Sequence, residues 1–180
     1  DAFLDQFKSA MAGFTHGDPM EQGTTLAPLS SADALDKLEK QVQTAVQHGA
    51  KLLLGGKRVL DTKGNFMEPT ILTDIAENSP MFSEGFFGPV AMFFRVPDED
   101  AAVALANNSP FGLGGSVFTK DVERGRSVAR RIDTGMVFVN SAAVSLPDLP
   151  FGGVKNSGYG RELSALGIQE FVNKKLIRVA

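Results

Sequence analysis

Aromatic residues beside glycines are the groups in this sequence best suited to contact a flat ligand. Phe86 and Phe87 precede Gly88 and Pro89, directly before a long apolar run. The structural interpretation is a turn that delivers the chain into a strand, whereas the functional interpretation is a ring presented for stacking. Residues 151–153 (FGG) combine a large ring with two glycines, which allow close backbone approach to a ligand or a neighbouring segment.

Common catalytic and phosphate-binding motifs are missing from the sequence. The chain contains no cysteine, which excludes disulfides, thiolate metal sites and cysteine nucleophiles within it. Residues 158–160 (GYG) are followed by Leu163 where a third dinucleotide-loop glycine would stand, and no Gly-Lys-Ser/Thr follows a glycine-rich loop. The two histidines, His16 and His48, do not form a metal-ligand pair, so no metal site is predicted.

The composition is that of an ordinary globular protein. Of the 180 residues, 43% are hydrophobic and 22% are charged, with a net charge of −3. The near-neutral charge argues against nucleic-acid binding. No apolar run is long enough to span a membrane, and the first residues lack the basic start of a signal peptide. We therefore expect a cytoplasmic location and neither a membrane nor a nucleic-acid partner.

The elements that must position these residues alternate between helices and strands in the first half. Residues 3–14 have apolar side chains at helical spacing, and a second helix is predicted to start at Ser30 or Ser31 and to end at Gly49. Asp33 stands three residues after Ser30, as in a capping box. The predicted buried stripe of this helix is Leu35, Leu38, Val42, Ala45 and Val46. The predicted strands are residues 51–54 and 70–72, with a hairpin over 59–66 that turns at Asp61 to Gly64.

The second half predicts an α/β fold with a doubly wound, mostly parallel sheet. Its predicted strands are residues 90–96, 115–118 and 135–140. One helix follows Pro97 and another follows Asp121, and this strand–helix order favours parallel pairing with right-handed crossovers. The predicted buried face of the second of these helices is Val122, Val128, Ala129 and Ile132. Residues 141–162 form a long loop, which is typical of a functional segment, before a short helix over 163–172 and a terminal strand over 175–179.

Four motifs resemble the aldehyde dehydrogenase superfamily in their order and spacing. They are residues 87–90 (FGPV), 108–113 (NSPFGL), 135–140 (GMVFVN) and 150–162 (PFGGVKNSGYGRE). Residues 1–80 also resemble the segment that follows the family's catalytic cysteine. The chain is therefore similar to the C-terminal half of a family member. The resemblance implies that residues 1–162 are part of a catalytic domain and residues 163–180 are a C-terminal helix and oligomerisation strand.

The resemblance implies an activity and a set of site residues. In the family, a cysteine thiolate attacks an aldehyde, a hydride passes to NAD or NADP, and a thioester is hydrolysed. Phe87 matches the ring that contacts the nicotinamide end of the cofactor, and Asn140 and the loop up to Phe151 match the wall of the substrate tunnel. Ser145 is similar to a serine of succinate-semialdehyde dehydrogenases, where it helps to hold the distal carboxylate of the substrate, a charge-assisted contact.

The sequence departs from the family pattern in two respects. The nucleophilic cysteine, the general base, the oxyanion-hole asparagine and the nucleotide-binding domain are absent from the chain. Because covalent catalysis needs these groups in one site, the lone chain is predicted to be inactive. The family's ribose-binding glutamate corresponds to Gly85, and Glu84, one place earlier, is expected to point elsewhere.

Three hypotheses about function remain open on the sequence. The chain is the C-terminal part of an NAD- or NADP-dependent aldehyde dehydrogenase that needs a missing N-terminal nucleotide-binding half. Alternatively, it is a non-enzymatic remnant that keeps the fold and the assembly surface, which Gly85 favours. The third hypothesis is an α/β binding domain of unrelated function. In the family the last strand joins a neighbouring subunit, so residues 175–179 predict a homo-oligomer.

Overall fold

The computed structural model describes residues 2–60 and 62–180 and divides the chain into two compact units, Asp1–Arg95 and Val96–Ala180. Both units combine helices with short strands, so the predicted α/β class is confirmed. The predicted boundary between residues 162 and 163, which separates part of a catalytic domain from a C-terminal helix and strand, stays a prediction. Among the described residues, no helix is long and apolar enough to cross a membrane.

Two helices supply most of the helical structure of the first unit. Helix α1 spans Ala2–Ala12 and helix α2 spans Ala32–Gln47. The side chain of Ser31, not that of Ser30, caps α2 by accepting a hydrogen bond of 3.1 Å from the backbone N–H of Ala34. The predicted stripe of α2 is buried except at its last member, Val46, which is 42% exposed.

A three-stranded sheet packs against α2 and forms the core of the first unit. Its strands are β1 (Lys51–Leu54), β2 (Thr70–Thr73) and β3 (Val90–Phe93). The central strand β2 is buried throughout, and it pairs antiparallel with β1 and parallel with β3. The predicted hairpin is present at its base, where Val59 N–H donates to Phe66 O at 2.9 Å. Asp61, in its predicted turn, lies outside the described residues.

The second unit contains short strands with helices between them. These elements are α3 (Glu99–Asn107), β4 (Phe111–Gly112), β5 (Gly114–Val117), α4 (Val122–Ala129), β6 (Met136–Val139), β7 (Val154–Lys155) and α5 (Ser164–Gly167), followed by a 3-10 turn (Ile168–Phe171). Strands β5 and β6 pair in parallel, and β4 and β7 pair antiparallel. Asp98 and Asp121 cap α3 and α4 through their carboxylates, as the sequence predicts for Asp121.

In place of the predicted single, doubly wound sheet, the described residues form three small sheets, which include parallel and antiparallel pairs. Parallel pairing occurs at β2–β3 and β5–β6, but the predicted strand over 90–96 ends at Phe93 and is only half-buried. The two parallel pairs belong to different units of the chain. A periodic pattern predicts where strands form and which direction is favoured, but not how many pairs join into one sheet.

The predicted buried face of α4 is wrong in part. Val122 is 47% exposed, and Gly125 is the buried residue of this helix. A Cβ at Gly125 would lie 2.7 Å from a methyl group of Val139 on β6. The helix therefore approaches the strand through its smallest residue, a contact that hydrophobic periodicity does not predict.

The C-terminal segment differs from its prediction. The helix expected over 163–172 is divided into α5 and the 3-10 turn, and residues 173–180 form no strand in the single chain. Leu176, Ile177 and Val179 are between 78% and 90% exposed. A strand needs a neighbour for its backbone N–H and C=O groups, and the residues described here supply none to this segment.

Candidate functional site

The first candidate group is the turn before β3 that contains Phe87. Phe86 packs against the hydrophobic core, whereas the next side chain, Phe87, is 81% exposed. Two successive three-residue turns shape the segment, with Gly88 N–H donating to Phe86 O at 3.0 Å and Val90 N–H donating to Gly88 O at 2.8 Å. The turn thus delivers the chain into β3 and leaves one aromatic ring accessible to a flat ligand.

Contacts from α2 and β2 hold this turn against the core. Thr70 N–H donates to Pro89 O at 2.8 Å, which continues the β2–β3 pairing beyond the strand. A Cβ at Gly88 would lie only 2.3 Å from a methyl group of Leu38, so the turn lies directly on α2. Gly88 is required at this position by close approach, because its neighbour Leu38 is itself fully buried.

Gln41 also holds this turn but is absent from the sequence-based candidates. Its side chain is 8% exposed, and its Nε2 donates a hydrogen bond of 3.2 Å to the carbonyl oxygen of Gly85. The signal that could have found it is a glutamine within the buried stripe of α2, between Leu38 and Val42. A polar residue on an apolar face needs a partner, although the sequence does not say which.

Gly85 lies beneath the ring of Phe87. A Cβ at Gly85 would be 3.2 Å from Cε2 of Phe87, so a side chain here would require a small movement of the exposed ring. The backbone of Gly85 does not adopt a positive φ, so other residues are allowed there. Glu84 is exposed to solvent. Gly85 therefore contributes a carbonyl to the turn but no carboxylate.

The second candidate group begins at Asn140, directly after β6. Asn140 adopts a left-handed backbone conformation with φ of 57°. Its Oδ1 accepts a hydrogen bond of 2.8 Å from Thr119 N–H, and its own N–H donates to Val117 O at 2.8 Å. Asn140 therefore joins the ends of β5 and β6, a structural contact that no motif in the sequence predicts.

Ser145 lies in the exposed loop of residues 140–150. Backbone hydrogen bonds fix the end of this loop, since Leu149 N–H donates to Leu146 O at 3.2 Å and Ser164 N–H donates to Pro147 O at 2.9 Å. The loop is therefore anchored to the start of α5, and the hydroxyl of Ser145 is accessible to a ligand from solvent.

Phe151 is half-buried where the loop ends. Its backbone exchanges two hydrogen bonds with Glu162, of 2.9 and 2.7 Å. The next residue, Gly152, lies against the backbone of Gly135, since a Cβ at Gly135 would lie 2.0 Å from Gly152 O. Arg161 Nη1 donates to the carbonyls of Gly153 and Gly160. Residues 151–153 are predicted to approach either a ligand or a neighbouring segment of the chain. The structure shows the approach to a neighbouring segment.

The five predicted site residues form two groups, one in each unit. Gly85 and Phe87 lie together at the turn before β3, while Asn140, Ser145 and Phe151 follow one another along the loop after β6. A hollow of about 550 Å³ lies between residues 159–164 and the 3-10 turn, and it is lined by none of these five. Within residues 2–60 and 62–180, no cluster of side chains is suited to hold a metal ion.

The altered pKa values belong to ion pairs of the scaffold rather than to either group. A hydrogen bond from Lys51, assisted by its charge, lowers the pKa of Asp74, and the two groups are 2.8 Å apart. A hydrogen bond to Glu99 at 2.6 Å raises the pKa of Arg124, and bonds to Glu39 and Asp36 raise that of Arg58. These ion pairs link β1, α2 and α3 to neighbouring segments of the fold.

A family model confirms the resemblance of the sequence. Residues 1–177 match the model of the aldehyde dehydrogenase family, and the chain therefore belongs to that family. This makes an unrelated α/β binding domain untenable.

The similar proteins are longer than this chain. A succinate-semialdehyde dehydrogenase [NADP(+)] of Deinococcus radiodurans is 49% identical over 178 residues, which are 99% of this chain and 37% of the relative. The structure of Gox0499, solved in work on its cofactor and substrate selection, has a TM-score of 0.95 and 53% identity. It is matched over 100% of this chain and 39% of its own.

A third similar protein carries a cofactor. The succinic semialdehyde dehydrogenase of Streptococcus pyogenes, solved in complex with NADP+, has a TM-score of 0.93 and 44% identity over 99% of this chain and 40% of its own. The chain thus spans about two fifths of the length of the relatives it matches.

Proposed function

We propose that this chain is the C-terminal part of an NADP-dependent aldehyde dehydrogenase that oxidises succinate semialdehyde to succinate. The observation that carries the proposal is the similarity to succinate-semialdehyde dehydrogenases over nearly the whole chain, at 44–49% identity. The serine at position 145 supports the same substrate, because a hydroxyl can donate to the distal carboxylate. NAD is the alternative cofactor.

Each group of site residues has a proposed role. The exposed ring of Phe87 offers a flat apolar face to the nicotinamide, while Gly85 offers no carboxylate to the ribose hydroxyls. When bound, NADP would supply the hydride acceptor for the oxidation of the substrate. Asn140, Ser145 and Phe151 line the substrate side, with Ser145 donating to the substrate carboxylate. Oδ1 of Asn140 stays hydrogen-bonded to Thr119 N–H. Its proposed role is therefore to hold the start of the loop that follows β6.

The proposed enzyme needs groups that this chain does not contain. A thiolate nucleophile is required for the covalent step, and the sequence has no cysteine. The missing N-terminal half must therefore supply the nucleophile, the general base and the nucleotide-binding domain, and the lone chain should be inactive. The alternative is a non-enzymatic remnant, which the glycine at position 85 favours.

A chimera tests the proposal directly. In the Deinococcus radiodurans relative, the segment matched by this chain is replaced by the 178 residues that align with it, and NADPH formation is followed with succinate semialdehyde as the substrate. The chimera should be active and the lone 180-residue chain inactive. A chimera that folds, as judged by circular dichroism, but forms no NADPH would favour the remnant.

The C-terminal segment is proposed to form the oligomerisation strand. The exposed apolar side chains of Leu176, Ile177 and Val179 would be covered by the sheet of another subunit. Removing residues 173–180 should convert oligomers into monomers, as measured by light scattering. Oligomers of unchanged mass after the deletion would refute this role. The cytoplasmic location stays a prediction of the sequence.

A further inference from the structure

We propose that Gln41 is a positioning residue for Phe87. The inference rests on the proposed cofactor contact of Phe87 and adds a residue, forty-six positions earlier in the chain, that sets the place of its ring. Its basis is the partly buried hydrogen bond from Gln41 Nε2 to Gly85 O, which is 3.2 Å long. No motif or resemblance points to Gln41.

The burial of Gln41 distinguishes this contact from a surface hydrogen bond. Gln41 is 8% exposed and stands on the same face of α2 as Leu38, Val42 and Ala45, which belong to the apolar core. A buried amide that loses its partner is costly, whereas a satisfied one selects a single arrangement of its neighbours. In this core the amide selects the position of the Gly85 carbonyl.

The bonded carbonyl lies two residues before Phe87. Between them, Phe86 is held in the core, and after Phe87 the turn is held by the contact of Gly88 with Leu38. Helix α2 thus fixes the backbone on both sides of Phe87, by a hydrogen bond at Gly85 and by packing at Gly88. The ring, although exposed, extends from a backbone with little freedom to move.

Gly85 also acts on the ring itself. The ring of Phe87 lies so close to Gly85 that a Cβ there would be 3.2 Å from Cε2. The same residue therefore receives the hydrogen bond through its carbonyl and lies next to the ring. A displacement of the Gly85 backbone therefore changes the surroundings of the ring.

The substitution Gln41→Met tests this role, because it keeps the length of the side chain and removes the donor. Gln43→Met is the matched control, since Gln43 is an exposed glutamine on the same helix. Both are made in the 180-residue chain with para-fluorophenylalanine placed at position 87. Fluorine NMR then reports the surroundings and motion of that ring. Gln41→Leu provides a second variant without a hydrogen-bond donor if the methionine variant does not fold.

We expect the fluorine resonance to shift and broaden in Gln41→Met or Gln41→Leu and to stay unchanged in Gln43→Met. A resonance that is unchanged in both Gln41 variants, or that shifts equally in the control, would overturn the proposal. In the chimera, the KM for NADP should rise by up to about tenfold, the limit set by the free energy of one net hydrogen bond, while kcat falls less than twofold. A general loss of packing would instead lower kcat and the amount of folded protein.

The two proposals fail in different ways. A chimera that is inactive even without a substitution refutes the proposed function, while the fluorine measurement still decides whether Gln41 positions the ring. An active chimera in which Gln41→Met changes neither the KM for NADP nor the resonance refutes the positioning role alone.

Discussion

Asn140 gives a prediction in which two contributions to stability can be separated. Its left-handed backbone, with φ of 57°, is accessible to asparagine, aspartate and glycine but unfavourable for alanine. Its Oδ1 accepts a hydrogen bond of 2.8 Å from Thr119 N–H. Asn140→Asp keeps the oxygen and tolerates the backbone, Asn140→Gly keeps only the backbone freedom, and Asn140→Ala keeps neither.

The expected magnitudes follow from these differences. Asn140→Asp should change the free energy of unfolding by less than about 0.5 kcal/mol, as for an ordinary surface substitution. Asn140→Gly should lower it by about 1 to 1.5 kcal/mol, from the lost hydrogen bond and the greater freedom of the unfolded chain. Asn140→Ala should lower it by about 2 kcal/mol, because the left-handed conformation adds its cost to the lost bond.

Urea unfolding followed by far-UV circular dichroism provides the assay, with the three variants measured beside the parent chain. The ranking of the variants by stability, with Asn140→Asp first and Asn140→Ala last, is the important result, because it does not depend on the exact size of each change. If Asn140→Gly is as stable as Asn140→Asp, the hydrogen bond to Thr119 contributes nothing. If Asn140→Ala is as stable as Asn140→Gly, the left-handed backbone at this position adds no cost for alanine.

Three further predictions concern a helix cap, an ion pair and the turn of the first unit. Ser31→Ala should lower the free energy of unfolding by about 1 kcal/mol because it removes the cap of α2, whereas Ser30→Ala should leave the denaturation midpoint unchanged; equal effects would contradict the cap assignment. Lys51→Met should raise the pKa of Asp74 in an NMR titration, because the hydrogen bond that lowers it is lost. Since the folded pKa of Asp74 is depressed, its stabilisation is present above the unfolded pKa and is lost as the pH falls through the folded value; an unchanged titration would refute the pairing. Gly85→Glu should tighten NADP binding to the chimera, because a carboxylate becomes available to the ribose and the Phe87 ring can move by the few tenths of an ångström required. An unchanged affinity would show that the lost glutamate is not what limits cofactor binding.

Much of the local structure could be predicted from the sequence, because its signals are local. The buried stripe of α2 follows from apolar spacing of three and four residues, and four of its five predicted members are buried. Asp121 caps α4 because an aspartate side chain at that position reaches the free backbone N–H groups of the first turn. The family could also be recognised, because its four motifs occur in order, and the match over residues 1–177 confirms it.

Contacts between distant residues were decided only by the tertiary structure. The burial of Gly125 on α4, the bond from Asn140 to Thr119 and the bond from Gln41 to Gly85 each depend on which surfaces meet, and no periodicity encodes them. The pairing of strands into three small sheets depends likewise on partners that are distant in sequence. The sequence by itself determined most of the helices and strands before residue 163, the family and the residue types that a site could use. Only the packing decided that Phe86 would be covered and that Phe87 would be exposed. The packing also decided that the amide of Gln41 would bond to the backbone at Gly85, two residues before the exposed ring.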